Sequence, residues 1–216
     1  LLHAPGVEPR VDLEAMQLYL SLGYMPHTHC IVQGAHKVRP GCYALWERGK
    51  PVAHEPYWRL QFRPRPRRAA DAVAELRHLL QEAVTMRMIS DVPLGAFLSG
   101  GIASSLVVAL MARASGQPVK TFSMGFAEKD FSEVAFARKV ARRYRTDHHE
   151  QIVRSNAAEL LPILVRQYGE PFADPSAVPT YLLSQMTRQR VTVALSGDGG
   201  DEAFCGYTRY AQERVA

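Results

Sequence analysis

The chain reads as an α/β protein: a parallel sheet with helices on both faces, preceded by a helix and β-hairpin module. Three observations predict it. From residue 69 onward, short apolar runs alternate with longer stretches that are apolar at helical spacing. Two of the short runs, ending at Leu98 and Leu195, pass directly into glycine-rich turns. Before residue 68 the pattern differs, with one helical repeat and then two strand-like runs around a glycine.

In order, Asp12 to Leu22 repeats apolar Leu13, Met16 and Leu20 at three- and four-residue steps, and Gly23 follows as a stop. Cys42–Glu47, the turn Arg48-Gly-Lys50 and Pro51–Trp58 read as a hairpin. Arg63-Pro-Arg-Pro-Arg-Arg68 reads as a solvated, proline-stiffened linker that closes this connecting module over 1–68. The larger domain, 69–216, opens on an amphipathic helix, Asp71 to Ile89, with Val73, Leu76, Leu79, Leu80, Ala83 and Val84 along one side. Strands are predicted near 94–98, 119–124, 147–153 and 191–195, and helices near 103–115, 132–145, 155–168 and 178–189. Such alternation builds a parallel sheet covered on both faces, which binds ligands beyond the carboxyl ends of its strands. Both glycine-rich turns belong at that end.

Composition narrows the function classes. The 216 residues are 47% apolar and 22% charged, the mix of a folded globular domain. No apolar run approaches the ~18 residues that span a bilayer, so no membrane partner is expected. Leu1-Leu-His-Ala-Pro has no basic-then-apolar leader pattern and no Met, as expected of a fragment. Cys30, Cys42 and Cys205 are odd in number and widely spaced, which predicts free buried thiols and a reducing, cytoplasmic setting. The net charge is +5, but aromatic residues do not interleave with the arginine run as nucleic-acid stacking would need, so no nucleic acid is expected.

The chemistry concentrates in the two turns. Residues 98–105 read Leu-Ser-Gly-Gly-Ile-Ala-Ser-Ser between an apolar strand and a helix. Glycines let the backbone approach an anion, helix-start N–H groups point at it, and Ser99, Ser104 and Ser105 add hydroxyls. An ordinary strand–helix turn that needs only small residues is the competing reading. The segment has no Gly-Lys-Ser/Thr and no G-x-G-x-x-G. Residues 191–207, Val-Thr-Val-Ala-Leu-Ser-Gly-Asp-Gly-Gly-Asp-Glu-Ala-Phe-Cys-Gly-Tyr, repeat the strand-to-glycine theme with carboxylates added. His148-His149-Glu150 invites a metal reading, but adjacent strand residues point to opposite faces, which favours a structural role.

The first turn resembles the pyrophosphate-binding loop, Ser-Gly-Gly-x-Asp-Ser-Ser, of ATP pyrophosphatases. Taken with Tyr19–Pro26, Thr121–Phe126, Thr146–Glu150, Gly169–Thr180 and the second turn, the chain resembles the synthetase domain of glutamine-dependent asparagine synthetases along nearly its whole length. The resemblance implies an adenine nucleotide alpha hydrolase-like fold and an ATP-dependent carbon–nitrogen ligase, with ATP and Mg²⁺ as cofactors. It implies aspartate, ATP and ammonia from glutamine as small-molecule substrates. It also implies an N-terminal glutaminase domain that this chain lacks, a domain over 69–216 truncated at its C-terminus, and a homodimer as an allowed assembly. β-Lactam synthetases and other amidotransferases of the fold share these turns and stay open as readings.

By position, Ser99, Gly100, Gly101, Ser104 and Ser105 match the family's pyrophosphate grip, and backbone groups of Phe97, Met124, Ser196 and Gly197 match its adenine contacts. Phe97 and Met124 also suit plain strand-end core positions. Asp198 matches a general base for the amidation step, or else bonds its own turn or caps the next helix. Glu202 is a favourable charge at a helix start. Asp174-Pro-Ser-Ala177 resembles a segment that lines the aspartate pocket. Mg²⁺ takes one carboxylate from each turn in this family; the second is Asp201, whereas the first falls on Ala103, which has no oxygen to offer. An inactive nucleotide-binding homologue therefore remains a third reading, and the fragment alone is expected to be inactive.

Overall fold

Strand and helix alternate from residue 69 as the sequence predicts, and the boundaries agree to within a few residues. The computed structural model describes residues 5–6, 8–126, 133–153, 157–208 and 210. The predicted helix starts at 132 and 155, and the continuation of the last helix past Tyr210, lie outside the described residues. The chain forms two compact units: Leu1–Pro66 with Asn156–Val178, and Arg67–Ser155 with Pro179–Ala216.

In the first unit, helix α1 (Leu13–Leu22) starts where the Asp12 carboxylate accepts the Ala15 N–H at 2.9 Å, and ends where the Gly23 N–H donates to Tyr19 O at 2.7 Å. The predicted apolar stripe does not become core: Leu13 and Leu20 are 70% and 74% exposed, and Ala15 is the buried residue of the helix. Strands β1 (Cys42–Glu47) and β2 (Lys50–Pro56) pair antiparallel through a two-residue loop, Arg48-Gly49, with both residues at positive φ, 49° and 76°. That geometry matches the twist of a tight hairpin. Helix α5 (Ala157–Tyr168) also belongs here, followed by Glu170, whose carboxylate accepts a 2.7 Å hydrogen bond from Lys37 Nζ.

The second unit holds the sheet. Helix α2 (Ala69–Arg87) leads to β3 (Leu94–Phe97), α3 (Ile102–Ala114), β4 (Lys120–Phe126), α4 (Val134–Tyr144) and β5 (Asp147–Val153). The chain re-enters along α6 (Ala177–Arg188) to β6 (Val193–Leu195) and α7 (Gly200–Phe204). All pairings are parallel and the strand order is β5-β4-β3-β6. Steps from β3 to β5 run one way, and the return to β6 runs back past them. Right-handed crossovers then place α3 and α4 on one face and α6 on the other. The strand order reverses at β3, so its carboxyl end and that of β6 flank the crevice where such sheets bind ligands.

The core of this unit is built from Val84, Ala96, Leu98, Val108, Leu110, Met111, Val119, Ala137 and Ala141. On α2 only part of the predicted face turns inward: Val84 is buried and Leu80 packs on the core, but Val73 and Leu79 are about half exposed (55% and 50%). Val73 lies toward the far end of the helix, and Leu79, one residue before Leu80, is turned about 100° around the axis from it. The cysteines are free as expected, yet none is fully buried, and Cys205 is exposed because it follows the short surface helix α7.

Candidate functional site

The first turn is a network of its own hydroxyls. Ser99 and Ser104 Oγ lie 2.9 Å apart, the Ser99 N–H donates to Ser104 Oγ at 3.3 Å, and the Gly101 N–H donates to Ser99 Oγ at 3.2 Å. Ser104 Oγ also reaches Gly101 O at 3.3 Å. These bonds curl the strand end onto the first turn of α3, whose N-cap, Gly101, has no side chain to cover the helix N–H groups. Gly100 sits at φ 91°, and a Cβ there would lie 2.5 Å from Ala137 N and 2.6 Å from Phe136 C. Both the backbone angle and the space exclude a side chain. Beneath the turn, Ser123 Oγ donates to Leu98 O and the Leu98 N–H donates to Phe122 O at 2.8 Å, continuing the β3–β4 ladder to the site's edge.

The second turn rests directly on this one. A Cβ at Gly197 would come 2.6 Å from Ser104 N, 2.9 Å from Ala103 C and 3.0 Å from Ala103 Cβ. A Cβ at Gly200 would likewise stand 3.0 Å from Ala103 Cβ. The methyl of Ala103 therefore fills the seam between the turns. Ser196 Oγ donates to Asp198 Oδ2 at 3.0 Å, so the Asp198 carboxylate is tied to its own turn, while α7 has no side-chain cap. In the first turn of α7, Glu202 accepts a 2.7 Å hydrogen bond from Tyr207 OH; this holds the Glu202 carboxyl below the usual range and pushes the Tyr207 phenol up to about 12.

Together the turns line a cavity of about 540 Å³ at the carboxyl ends of β3, β4 and β6. Of the residues singled out from sequence, Phe97, Ser99, Gly101, Ser104, Met124, Ser196, Gly197, Asp198 and Asp201 line it, as does Ala103. Gly100 and Ser105 are not on its wall: Gly100 faces α4, and Ser105 Oγ is buried with no hydrogen-bond partner. Sequence reasoning missed Glu133 before α4 and Pro179, Thr180 and Leu183 of α6, which complete the wall. Pro179 and Thr180 end the Gly169–Thr180 segment that carries part of the family resemblance, whereas no local signal marks Leu183, which only the crossover brings over the turns. Among the described residues no Lys, Arg or His lines the cavity, and the charged side chains on its wall are the carboxylates of Glu133, Asp198 and Asp201.

The histidine pair is held by contacts with β4. His148 Nδ1 lies 2.9 Å from Thr121 Oγ1, which also meets Thr146 Oγ1 at 2.8 Å, and His149 stacks on Phe122 at 5.5 Å between centroids. Burial pushes the His148 imidazole below its usual range, against the opposing pull of Glu150. Among the described residues no group of three or more His, Cys, Asp or Glu side chains stands ready to cage a metal. No described helix is long and apolar enough to cross a membrane. Asp174 accepts the Ser176 N–H at 2.7 Å at the entrance to α6.

These features match known proteins. The asparagine synthase family profile covers residues 75–216. The chain is 34% identical over 203 residues to an asparagine synthetase (glutamine-hydrolysing) from Bacillus subtilis, covering 94% of this chain and 32% of that protein. It is 37% identical over 200 residues to an assigned counterpart in Methanocaldococcus jannaschii, covering 91% of this chain and 39% of that one. Among solved structures, a glutamine-dependent NAD⁺ synthetase from Acinetobacter baumannii aligns with a TM-score of 0.46 at 22% identity, over 74% of this chain and 34% of that one. The chain thus spans 32% and 39% of the length of these two curated relatives. With both glycine-rich turns inside the matched region and meeting at one cavity, the chain belongs to the asparagine synthase family.

Proposed function

We propose that the second unit is the nucleotide-binding part of an asparagine synthetase that adenylates aspartate with ATP and then amidates it. In the first step a carboxylate oxygen of aspartate attacks the α-phosphorus and pyrophosphate leaves. In the second, the ammonia nitrogen attacks the acyl carbon, AMP departs and the nitrogen gives up a proton. The observation that carries this reading is the contact of the two turns, with Gly197 seated over the Ser104 amide and one cavity bounded by both.

The residues divide the work as follows. Helix-start N–H groups after Gly101, with Ser99 and Ser104, bind the β and γ phosphates, the part of ATP that becomes pyrophosphate. Backbone groups of Phe97, Met124, Ser196 and Gly197 hold the adenine. Asp198, kept in place by Ser196 Oγ, takes the proton from the attacking nitrogen. Mg²⁺ would bind Asp201 and phosphate oxygens there, neutralising charge; a hard cation needs only one or two carboxylates when phosphates complete its shell. The carboxylates of Glu133, Asp198 and Asp201 on the described wall favour such neutralisation, since polyphosphate beside them would be repelled.

Ala103 supports a second reading, an inactive nucleotide-binding homologue, because a methyl stands where the family's other metal-binding carboxylate belongs. One experiment separates the two. Aspartate-dependent pyrophosphate release is measured with ATP and Mg²⁺ for the parent chain and for Ala103→Asp, each in the full-length protein. The synthetase reading expects release that rises on the order of 10²-fold in Ala103→Asp. Absence of release at every aspartate concentration in both proteins removes it. Tight nucleotide binding that ignores Mg²⁺, again without release, establishes the inactive homologue instead.

A further inference from the structure

We infer that Arg138 is a positioning residue for the first glycine-rich turn, acting through α4: its forked ion pair with Glu150 of β5 sets where the first turn of α4 meets Gly100. Arg138 Nε donates to Glu150 Oε2 at 2.7 Å, and its Nη2 donates to Oε1. Two parallel bonds between a planar guanidinium and a carboxylate fix orientation as well as distance. The anchor is firm, because β5 pairs with β4 along its whole length from Asp147 to Val153.

The helix it holds rests on small side chains. It buries Val134, Ala137 and Ala141 and lays Val140 against the core, groups that slide more readily than they interlock. Phe136 in its first turn is 58% exposed. At the other end of the chain of contacts, α4 touches Gly100 backbone to backbone, with Ala137 N and Phe136 C inside the space a Cβ would need. Contacts this close have no slack, so a shift of α4 becomes a shift of residues 99–101. Glu133, directly before α4, also lines the cavity and would move with it. A half-exposed ion pair adds little to overall stability, which makes local geometry the property to measure.

The test uses Arg138→Ala, Arg138→Lys, Glu150→Gln and the charge-swapped Arg138→Glu/Glu150→Arg pair, with Arg143→Ala as a control on the same helix. Amide exchange over residues 99–105 and calorimetric ATP affinity with Mg²⁺ are read for each. Exchange over 99–105 should quicken, and affinity fall, on the order of tenfold in the single Arg138 and Glu150 variants. The swapped pair should recover most of the loss. Melting temperature should move no further than in Arg143→Ala. Arg138→Lys keeps the charge and stem, so it decides the matter even if the alanine variant folds poorly. Unchanged exchange over 99–105 in Arg138→Lys and Glu150→Gln overturns the inference. Only the affinity arm rests on the nucleotide reading: a parent chain that binds no ATP refutes that reading, while the exchange arm still judges the brace.

Discussion

Gly100 and Gly197 illustrate two different reasons for a glycine in one site. Gly100 lies at positive φ and against α4 backbone, so Gly100→Ala must shift a rigid neighbour and strain itself. We expect it to destabilise the fold by about 1–3 kcal/mol, read from the denaturant midpoint. Gly197 is excluded by space alone, at 2.6 Å from Ser104 N. Gly197→Ala must push against the backbone of α3, so it should also lower stability by about 1–3 kcal/mol, read from the denaturant midpoint, and part the two turns, lowering ATP affinity on the order of tenfold by calorimetry. The fully buried Thr121 is a third case. Thr121→Val removes the oxygen shared by Thr146 and His148 and should cost about 1–2 kcal/mol, since both partners are half-buried and lose a bond to a fully buried hydroxyl. At this scale the sequence showed which residue types could face an anion, but it gave no sign that Gly100 and Ser105 turn away from the cavity or that Glu133 turns toward it. Those directions depend on α4 and on the packing of α3, not on the turn's own eight residues.

Helices and strands carry the acid response. The Arg138 hydrogen bonds hold the Glu150 carboxyl below its ordinary range, so the folded state favours its ionised form. That contribution is present above the unfolded carboxyl pKa and is lost as pH falls through the folded value. Burial holds His148 below the ordinary imidazole range, so the unfolded state binds its proton more readily. Stability from this source is present above about pH 6.5 and declines as pH drops below it. Chemical unfolding across pH should therefore show a limb setting in below about pH 6.5, with only a small further loss from Glu150 below about pH 4.5, because its ion pair is half-exposed. His148→Gln should flatten the upper limb; an upper limb that persists unchanged in His148→Gln would refute the assignment. Element existence was legible throughout, because period-2 and period-3.6 patterns and flanking glycines are local. Element faces were less so: Leu13 and Leu20 of α1 and Val73 and Leu79 of α2 form apolar stripes that remain exposed. Periodicity reveals a stripe, but only a neighbouring element can cover it.

For the molecule as a whole, ligand linkage is the measurable consequence of the site. At a nucleotide concentration about 100 times its dissociation constant, binding should raise stability by about 2.7 kcal/mol. That gain should fall with a chelator, because the described cavity wall carries the carboxylates of Glu133, Asp198 and Asp201. A melting temperature raised equally by ATP with and without Mg²⁺ would contradict the charge argument. The family, the parallel sheet and the two turns were determined by the sequence alone, since each is written in a contiguous run of residues: strand, glycine pair, helix start. Tertiary structure decided the rest. The reversal of strand order at β3 set the turns of β3 and β6 side by side, seated Ala103 between Gly197 and Gly200, and carried α6 over the cavity. Local patterns record what a segment can bury or bind, whereas the partner it meets is selected by crossover handedness and close packing, which act between residues far apart in the chain.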